Sequence, residues 1–224
     1  IHGRGRMPIV VGGTGLYYRA LTRGLFPGPA RDDATRARLE AIAARRGPGR
    51  LQQWLARVDP ASAARILPKD TRRMVRALEV YLLTGRALTE HFDATERPLP
   101  EFTPIPIGLA PERALIAERV ARRVDQQFDR GIVREVDALL AAGVPRRANA
   151  FGGLVYRQVL EMLDGVRNEA ATRALIVQEN MRYAKRQLIW FRKEPNLKWI
   201  PAPGESERAR DEALAHIAAR AGHP

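Results

Sequence analysis

A short apolar run, Met7-Pro8-Ile9-Val10-Val11, passes straight into Gly12-Gly13-Thr14-Gly15 and then into a helical pattern over residues 16–21. A buried strand that ends in a glycine turn and continues as a helix belongs to a parallel sheet, because parallel strands are joined through crossover helices. The chain therefore reads as α/β rather than all-helical. One strand cannot form a sheet, and no earlier strand precedes it in the printed sequence. The partner strands are expected to lie outside it.

Beyond a Pro/Gly connector at residues 24–29 the text turns helical. Leu51, Trp54, Leu55 and Val58 recur at i, i+3, i+4 and i+7, which makes one apolar face. Asp70 is placed to cap a helix carrying Val75, Leu78 and Leu82, which Gly85 can end. A Pro-rich stretch at residues 98–106 leads into a short strand expected over residues 105–110. The two Pro-bearing connectors bracket a helical insertion of roughly 70 residues, the size of a small domain. The expected division is a core of residues 1–29 and 104–224, incomplete at its N-terminal side, with an insertion at 30–103. After Pro111 the pattern is helical again. Ile116, Val120, Val124 and Phe128 form one stripe and Val133, Val136 and Leu140 another. Helices at 156–163 and 169–192, a strand at 197–200 and a final helix from Glu205 complete the reading.

The 224 residues carry 38 Lys and Arg against 25 Asp and Glu, a formal charge of +13 that suits a polyanionic partner. Cys is absent and the four His are scattered, which removes thiolate chemistry and offers no metal cluster. No apolar run reaches the ~20 residues of a membrane span. A cytoplasmic monomer with no membrane contact is the expectation.

Four segments have chemistry to offer. The turn from Gly12 to Gly15 sits where a strand meets a helix, a place for anions, although no Gly-Lys-Ser/Thr follows it. The helix after Asp70 bears Arg72, Arg73 and Arg76, with no acid from Thr71 to Leu78 to pair with them. On the helix after Pro111, Arg119, Arg122 and Arg123 stand opposite the apolar stripe. A guanidinium there can take a diphosphate or simply pair with Glu118 or Asp125. Residues 178–198 hold six basic residues against two acidic ones, with Gln178, Arg182, Lys185 and Ile189 at helical spacing and Tyr183, Trp190 and Phe191 among them. That basic face is the strongest RNA candidate in the chain.

Several strings, in this order, carry a resemblance to a known family. They are Pro8 through Tyr17; Asp59-Pro60 with Ala64-Arg65-Ile66; Asp70 with Arg72-Arg73 and Arg76-Ala77-Leu78-Glu79-Val80; Tyr156-Arg157-Gln158; and Ala184-Lys185-Arg186-Gln187 with Trp190-Phe191-Arg192. With them the chain resembles the tRNA dimethylallyltransferases. The fold this implies is an α/β, P-loop kinase-like core, of the kind that nucleotide-binding enzymes share, with an α-helical insertion. The activity it implies is transfer of a dimethylallyl group from dimethylallyl diphosphate to N6 of the adenosine 3′ of the anticodon, in tRNAs that read codons beginning with U. Mg²⁺ is the implied cofactor, and a tRNA anticodon stem-loop the implied partner.

By the same resemblance Arg123 meets the diphosphate, and Thr14 contacts both the reacting site and the tRNA. Further tRNA contacts are implied at Arg36, and at Arg72, Arg73, Met74, Val75 and Arg76. They are implied also at Gly152, Gly153, Leu154, Val155, Tyr156 and Arg157. A last set falls on Gln178, Glu179, Asn180 and Met181, continuing through Arg182, Tyr183, Ala184 and Lys185. The family's phosphate loop and catalytic aspartate precede all of these strings, so the printed chain is expected to be inactive alone. Leu154-Val155 stands where the family commonly has Gly before the Tyr. A P-loop nucleotide or metabolite kinase and a non-catalytic RNA-binding fragment are the alternative readings.

Overall fold

The computed structural model describes residues 1–221. They fall into two compact units, Ile1–Thr103 and a second beginning at Pro104.

The first unit is helical. Its elements are α1 (Gly15–Arg23), α2 (Asp33–Arg46), α3 (Pro48–Val58), α4 (Pro60–Arg65), α5 (Thr71–Thr84) and α6 (Leu88–Asp93). The start signals read from the sequence act as caps. Asp32, Asp59 and Asp70 each accept a backbone N–H three residues on, from Thr35, Ser62 and Arg73. Pro48 and Pro60 occupy first-turn positions, where the missing N–H has no intrahelical partner to lose. Gly85 closes α5 in the left-handed conformation. The core of this unit is Leu39, Leu51, Leu55, Met74, Leu78 and Val80, with Trp54 and Val58 packed at its edge. Asp59 is buried and also accepts from the Thr89 amide and hydroxyl, so one carboxylate ties the start of α4 to the start of α6.

The strand expected at residues 7–11 is not formed. Ile9, Val10 and Val11 are 75%, 73% and 91% exposed, and no strand lies beside them among the described residues. An isolated extended segment has no neighbour for its N–H and C=O groups, and does not count as sheet. Residues 1–29, expected with the second unit, contact residues 30–103 here. Phe26 packs on the first core and stacks on His91, and the Pro29 carbonyl accepts from Arg76. Gly24 has φ +86°, and a Cβ there would lie 2.3 Å from the Glu96 carbonyl oxygen, so only glycine fits.

The second unit contains β1 (Ile107–Leu109), α7 (Arg113–Asp129), α8 (Ile132–Ala141), α9 (Tyr156–Leu163), α10 (Glu169–Phe191), β2 (Lys198–Ile200) and α11 (Glu207–Ala221). The two expected strands pair with each other, in parallel, with Ile107 opposite Lys198 and Leu109 opposite Ile200. Gly108 leaves room for the Trp199 ring, which a Cβ would approach to 2.8 Å. Val124, Phe128, Val136, Phe151, Val159 and Ile176 form the main core, where α7, α8, α9 and α10 meet. The stripe read from the sequence supplies the α7 share of it.

Candidate nucleic-acid interface

Thr14 is the residue before α1. Its carbonyl accepts from the Tyr17 and Tyr18 amides, while its side chain makes no capping bond. The Thr14 side chain is exposed, and a Cβ at Gly12 would meet nothing within 4 Å. The glycine turn is thus open to an approaching group.

On α5 the expectation that Arg72, Arg73 and Arg76 lack local partners needs correction. Arg73 pairs with Asp70 at 3.3 Å, and Arg76 donates to Glu79 at 2.7 Å. The acid-free run ends one residue before Glu79, which helical geometry brings within reach at i+3. Glu79 is fully buried and also receives Arg36 through Nε at 2.8 Å and Nη2 at 2.9 Å, and the Asp32 amide at 2.9 Å. Burial alone would raise its pKa. The hydrogen bonds from Arg36, Arg76 and the Asp32 amide outweigh that and hold it at about 2. Arg36 and Arg76 are therefore bound inward, and Met74 and Val75 are core. Arg72 is exposed, and its side chain has no hydrogen bond or ion pair among the described residues, which leaves it outward beside the exposed Arg73.

On α7 the three arginines separate. Arg119 is paired with Glu205, and Arg122 with Glu118 at 2.8 Å. Asp125 pairs instead with Arg173 at 2.9 Å, and the Arg173 guanidinium lies 4.1 Å from the Phe128 ring centre. Arg123 is exposed and has no acceptor among the described residues.

Gly152 and Gly153 lead through Leu154 into α9, beside a cleft of about 330 Å³ that Arg147, Gly152 and Arg157 help to line. Val155 precedes the helix with φ +77° and ψ −60°, a region that strains a β-branched residue, yet its side chain is buried. This is the position where the sequence departs from Gly, and the backbone keeps the conformation that glycine favours. Gln158 holds it by accepting the Val155 amide at 2.7 Å and donating to Glu179. Arg157 donates to the same carboxylate at 2.6 Å, and Tyr156 donates to Glu135, which raises the phenol pKa.

On α10 the set from Gln178 to Lys185 divides in two. Glu179 turns back to α9, Asn180 donates to the Ile176 carbonyl at 2.8 Å, and Met181 and Ala184 are half-buried. Gln178, Arg182, Lys185 and Ile189 face solvent together, as their spacing predicts. Tyr183 is 39% exposed with the Arg186 guanidinium 5.6 Å from its ring centre, while Trp190 and Phe191 pack edge to face on each other. The Glu79 clamp and the Glu179 link were missed from the sequence. The only signals were an acid at i+3 from Arg76, and a Gln at i+3 from the residue before α9.

An exposed cationic helix face, an unpaired arginine and an open glycine turn define an α/β protein equipped for phosphates. The family described as IPP transferase matches residues 1–194, and the chain belongs to it. It is 43% identical over 203 residues to a tRNA dimethylallyltransferase of Geobacter sulfurreducens, covering 91% of this chain and 65% of the relative. With the enzyme of that name from Koribacter versatilis it shares 41% over 217 residues, covering 97% and 70%. The structure of a full-length tRNA isopentenylpyrophosphate transferase from Bacillus halodurans matches with a TM-score of 0.61 at 33% identity, over 98% of this chain and 68% of that one. A eukaryotic dimethylallyltransferase acting on tRNA shares the fold, with a TM-score of 0.69 at 22% identity over 99% and 59%. The fold is the P-loop kinase-like type with a helical insertion that these structures have. The chain spans about two thirds of the length of the curated relatives it matches, 65% and 70% of the two named.

Proposed function

We propose that the full-length gene product transfers a dimethylallyl group from dimethylallyl diphosphate to N6 of the adenosine 3′ of the anticodon, in tRNAs that read codons beginning with U. In this reaction the N6 lone pair forms a bond to the allylic carbon. The bond from that carbon to the diphosphate oxygen breaks, and an N6 proton leaves to a base. The observation that carries the reading is Arg123. It alone of three neighbouring arginines lacks an acceptor among the described residues, at the position where likeness to prenyltransferases implies the arginine of the leaving group. Its guanidinium can meet two oxygens of the diphosphate as negative charge develops there.

The exposed Thr14 hydroxyl and the open Gly12 turn suit close approach of the flipped adenine. The face of Gln178, Arg182 and Lys185 suits RNA phosphates, with Arg72 as a further outward contact. Arg36, Arg76 and Glu179 shape the surfaces that carry these groups. Mg²⁺ belongs to the reading through family likeness, and when bound it would neutralise charge developing on the departing diphosphate. Among the described residues no three His, Asp or Glu side chains stand together to hold a metal, and none is assigned to it or to accepting the N6 proton. Residues 1–29 and 104–224 are taken as catalytic core and 30–103 as the tRNA-contacting insertion, in a monomeric, cytoplasmic enzyme.

The test is transfer of labelled dimethylallyl from its diphosphate to unmodified tRNA, with the labelled nucleoside located by digestion. Label on N6 beside the anticodon is the expected result. Transfer of phosphate from ATP to a small acceptor, with no prenyl transfer, would replace the reading by a kinase.

A further inference from the structure

The hairpin of α2 and α3 carries a charge that its own fold does not use. From Ala41 to Val58 the sequence contains Arg45, Arg46, Arg50 and Arg57 and no Asp or Glu. Asp59, next in line, is buried with its carboxylate taken by Ser62 and Thr89. The four arginines line one open cleft of about 660 Å³, together with Ile42, Gln53 and Trp54. All four are exposed. Arg45 reaches only the Ala41 carbonyl and Arg50 only Gln53, each at 3.4 Å, while Arg46 and Arg57 bond to no group among the described residues.

Helix stability explains some of these positions and not others. Arg45, Arg46 and Arg57 fall in last turns, where a cation complements the helix dipole. Arg50 falls in the first turn of α3, where the dipole disfavours it and an acid would stabilise. Four like charges around one cleft also repel one another until an anion arrives. The place is distinct from the Glu79 cluster, since Arg45 lies about 14 Å along α2 from Arg36, nine residues at 1.5 Å each.

We infer that this cleft holds the sugar-phosphate backbone of an RNA helix, beyond the loop that presents the reacting base. The inference rests on the tRNA reading above and extends it. Guanidinium forks match phosphate oxygens two at a time. Arginine can read base edges where a groove admits it, but the deep, narrow major groove of an RNA helix does not, so these forks suit its backbone. Trp54 is half-buried on the first core and gives no series of stacking platforms of the kind single strands use. An acidic protein partner fits less well, because protein interfaces centre on apolar residues, and this cleft has four arginines against two apolar side chains, Ile42 and Trp54.

The experiment replaces Arg45, Arg46, Arg50 and Arg57 together by Gln, and in a second variant by Lys. Affinity is measured against salt for full-length unmodified tRNA and for a short single strand of anticodon-loop sequence. Thermal melts establish that both variants fold, as exposed side chains allow. The Gln variant should bind tRNA at least about tenfold more weakly near 0.1 M salt. Its slope of log K against log salt should flatten by ~0.7–0.9 per lost phosphate contact, while the Lys variant keeps the slope. The loop strand should bind parent and variants alike. Equal tRNA affinity and slope in parent and Gln variant would overturn the inference and leave the prenyl-transfer reading standing. So would an equal loss on the loop strand, which would move the contact to the loop. Polyglutamate displacing tRNA from the parent more strongly than an RNA duplex does would assign the cleft to a protein. Absence of tRNA binding by the unaltered protein would remove both readings.

Discussion

Glu79→Gln keeps the side chain's shape and removes its charge, so it isolates what that charge does at the centre of the first unit. The carboxylate is fully buried and accepts four N–H groups, two from Arg36, one from Arg76 and one from the Asp32 amide. Its pKa is held at about 2 against an ordinary 4.5. At 1.36 kcal/mol per pH unit that gap corresponds to ~3 kcal/mol of folding stability. Truncating one partner of a buried pair typically costs 3–5 kcal/mol. The lower end applies here, because Arg36 and Arg76 are 22% and 32% exposed and water can rehydrate them. The expected loss at pH 7 is about 3 kcal/mol, read from urea unfolding of parent and variant.

The sign of the pH dependence follows from a depressed folded pKa. The contribution is complete above the unfolded value near 4.5 and disappears as pH falls through about 2. Parent and variant should therefore converge in acid. A loss below about 1 kcal/mol at pH 7, or a difference that stays constant down to pH 2.5, would refute the view that hydrogen-bonded charge holds α2 to α5.

In the full-length gene product, Arg123→Ala should lower kcat by about 10²–10³ with tRNA Kd nearly unchanged. Weakened tRNA binding with intact single-turnover chemistry would move the diphosphate to another residue. Replacing Arg182 and Lys185 by Ala should weaken binding of any anticodon stem-loop and flatten the salt slope by ~0.7–0.9 for each lost contact; an unchanged slope would make them solvated surface charges. Thr14→Val should reduce turnover more than stem-loop affinity, and the reverse order would place Thr14 in backbone gripping. At Val155, glycine should give a protein more stable than alanine by roughly 0.5–1 kcal/mol, against the usual order. A positive φ costs Ala ~1–2 kcal/mol, more than glycine's extra unfolded entropy. Denaturation midpoints showing Ala ahead would mean that the backbone there relaxes.

The helices were legible because their signals are local. Asp32, Asp59 and Asp70 cap where short polar side chains should, and the stripes of α3 and α7 turn inward as their spacing requires, while on α5 Val75 and Leu78 do so and Leu82 stays 46% exposed. The two short strands were legible as extended segments between Pro-rich or polar flanks. Their pairing with each other was not, since nothing local in residues 105–110 names residues 197–200 as a neighbour. The strand read at residues 7–11 was an apolar run whose state depends on neighbours it does not have here. Arginine roles were the least legible. Arg36 and Arg76 differ from Arg72 only by facing one buried carboxylate, and Arg119 and Arg122 differ from Arg123 only by the reach of Glu205 and Glu118. Spacing along one helix does not contain that information.

The parallel pair of β1 and β2 joins Ile107 to Lys198, 91 residues apart, with α7 through α10 strung between them. Helix turns in that interval form from local contacts, and α7 meets α10 across 48 residues at Asp125 and Arg173, while the strand pairing must close the whole loop. The second unit should thus assemble its helices first and fasten its ends last. The amides of Lys198 and Ala110, bonded to the Pro106 and Ile200 carbonyls at 3.0 and 2.9 Å, report that fastening. Pulse-labelled hydrogen exchange during refolding should find them protected after the Val159 and Ile176 amides, which would make the strand pair the clasp of this unit rather than its seed.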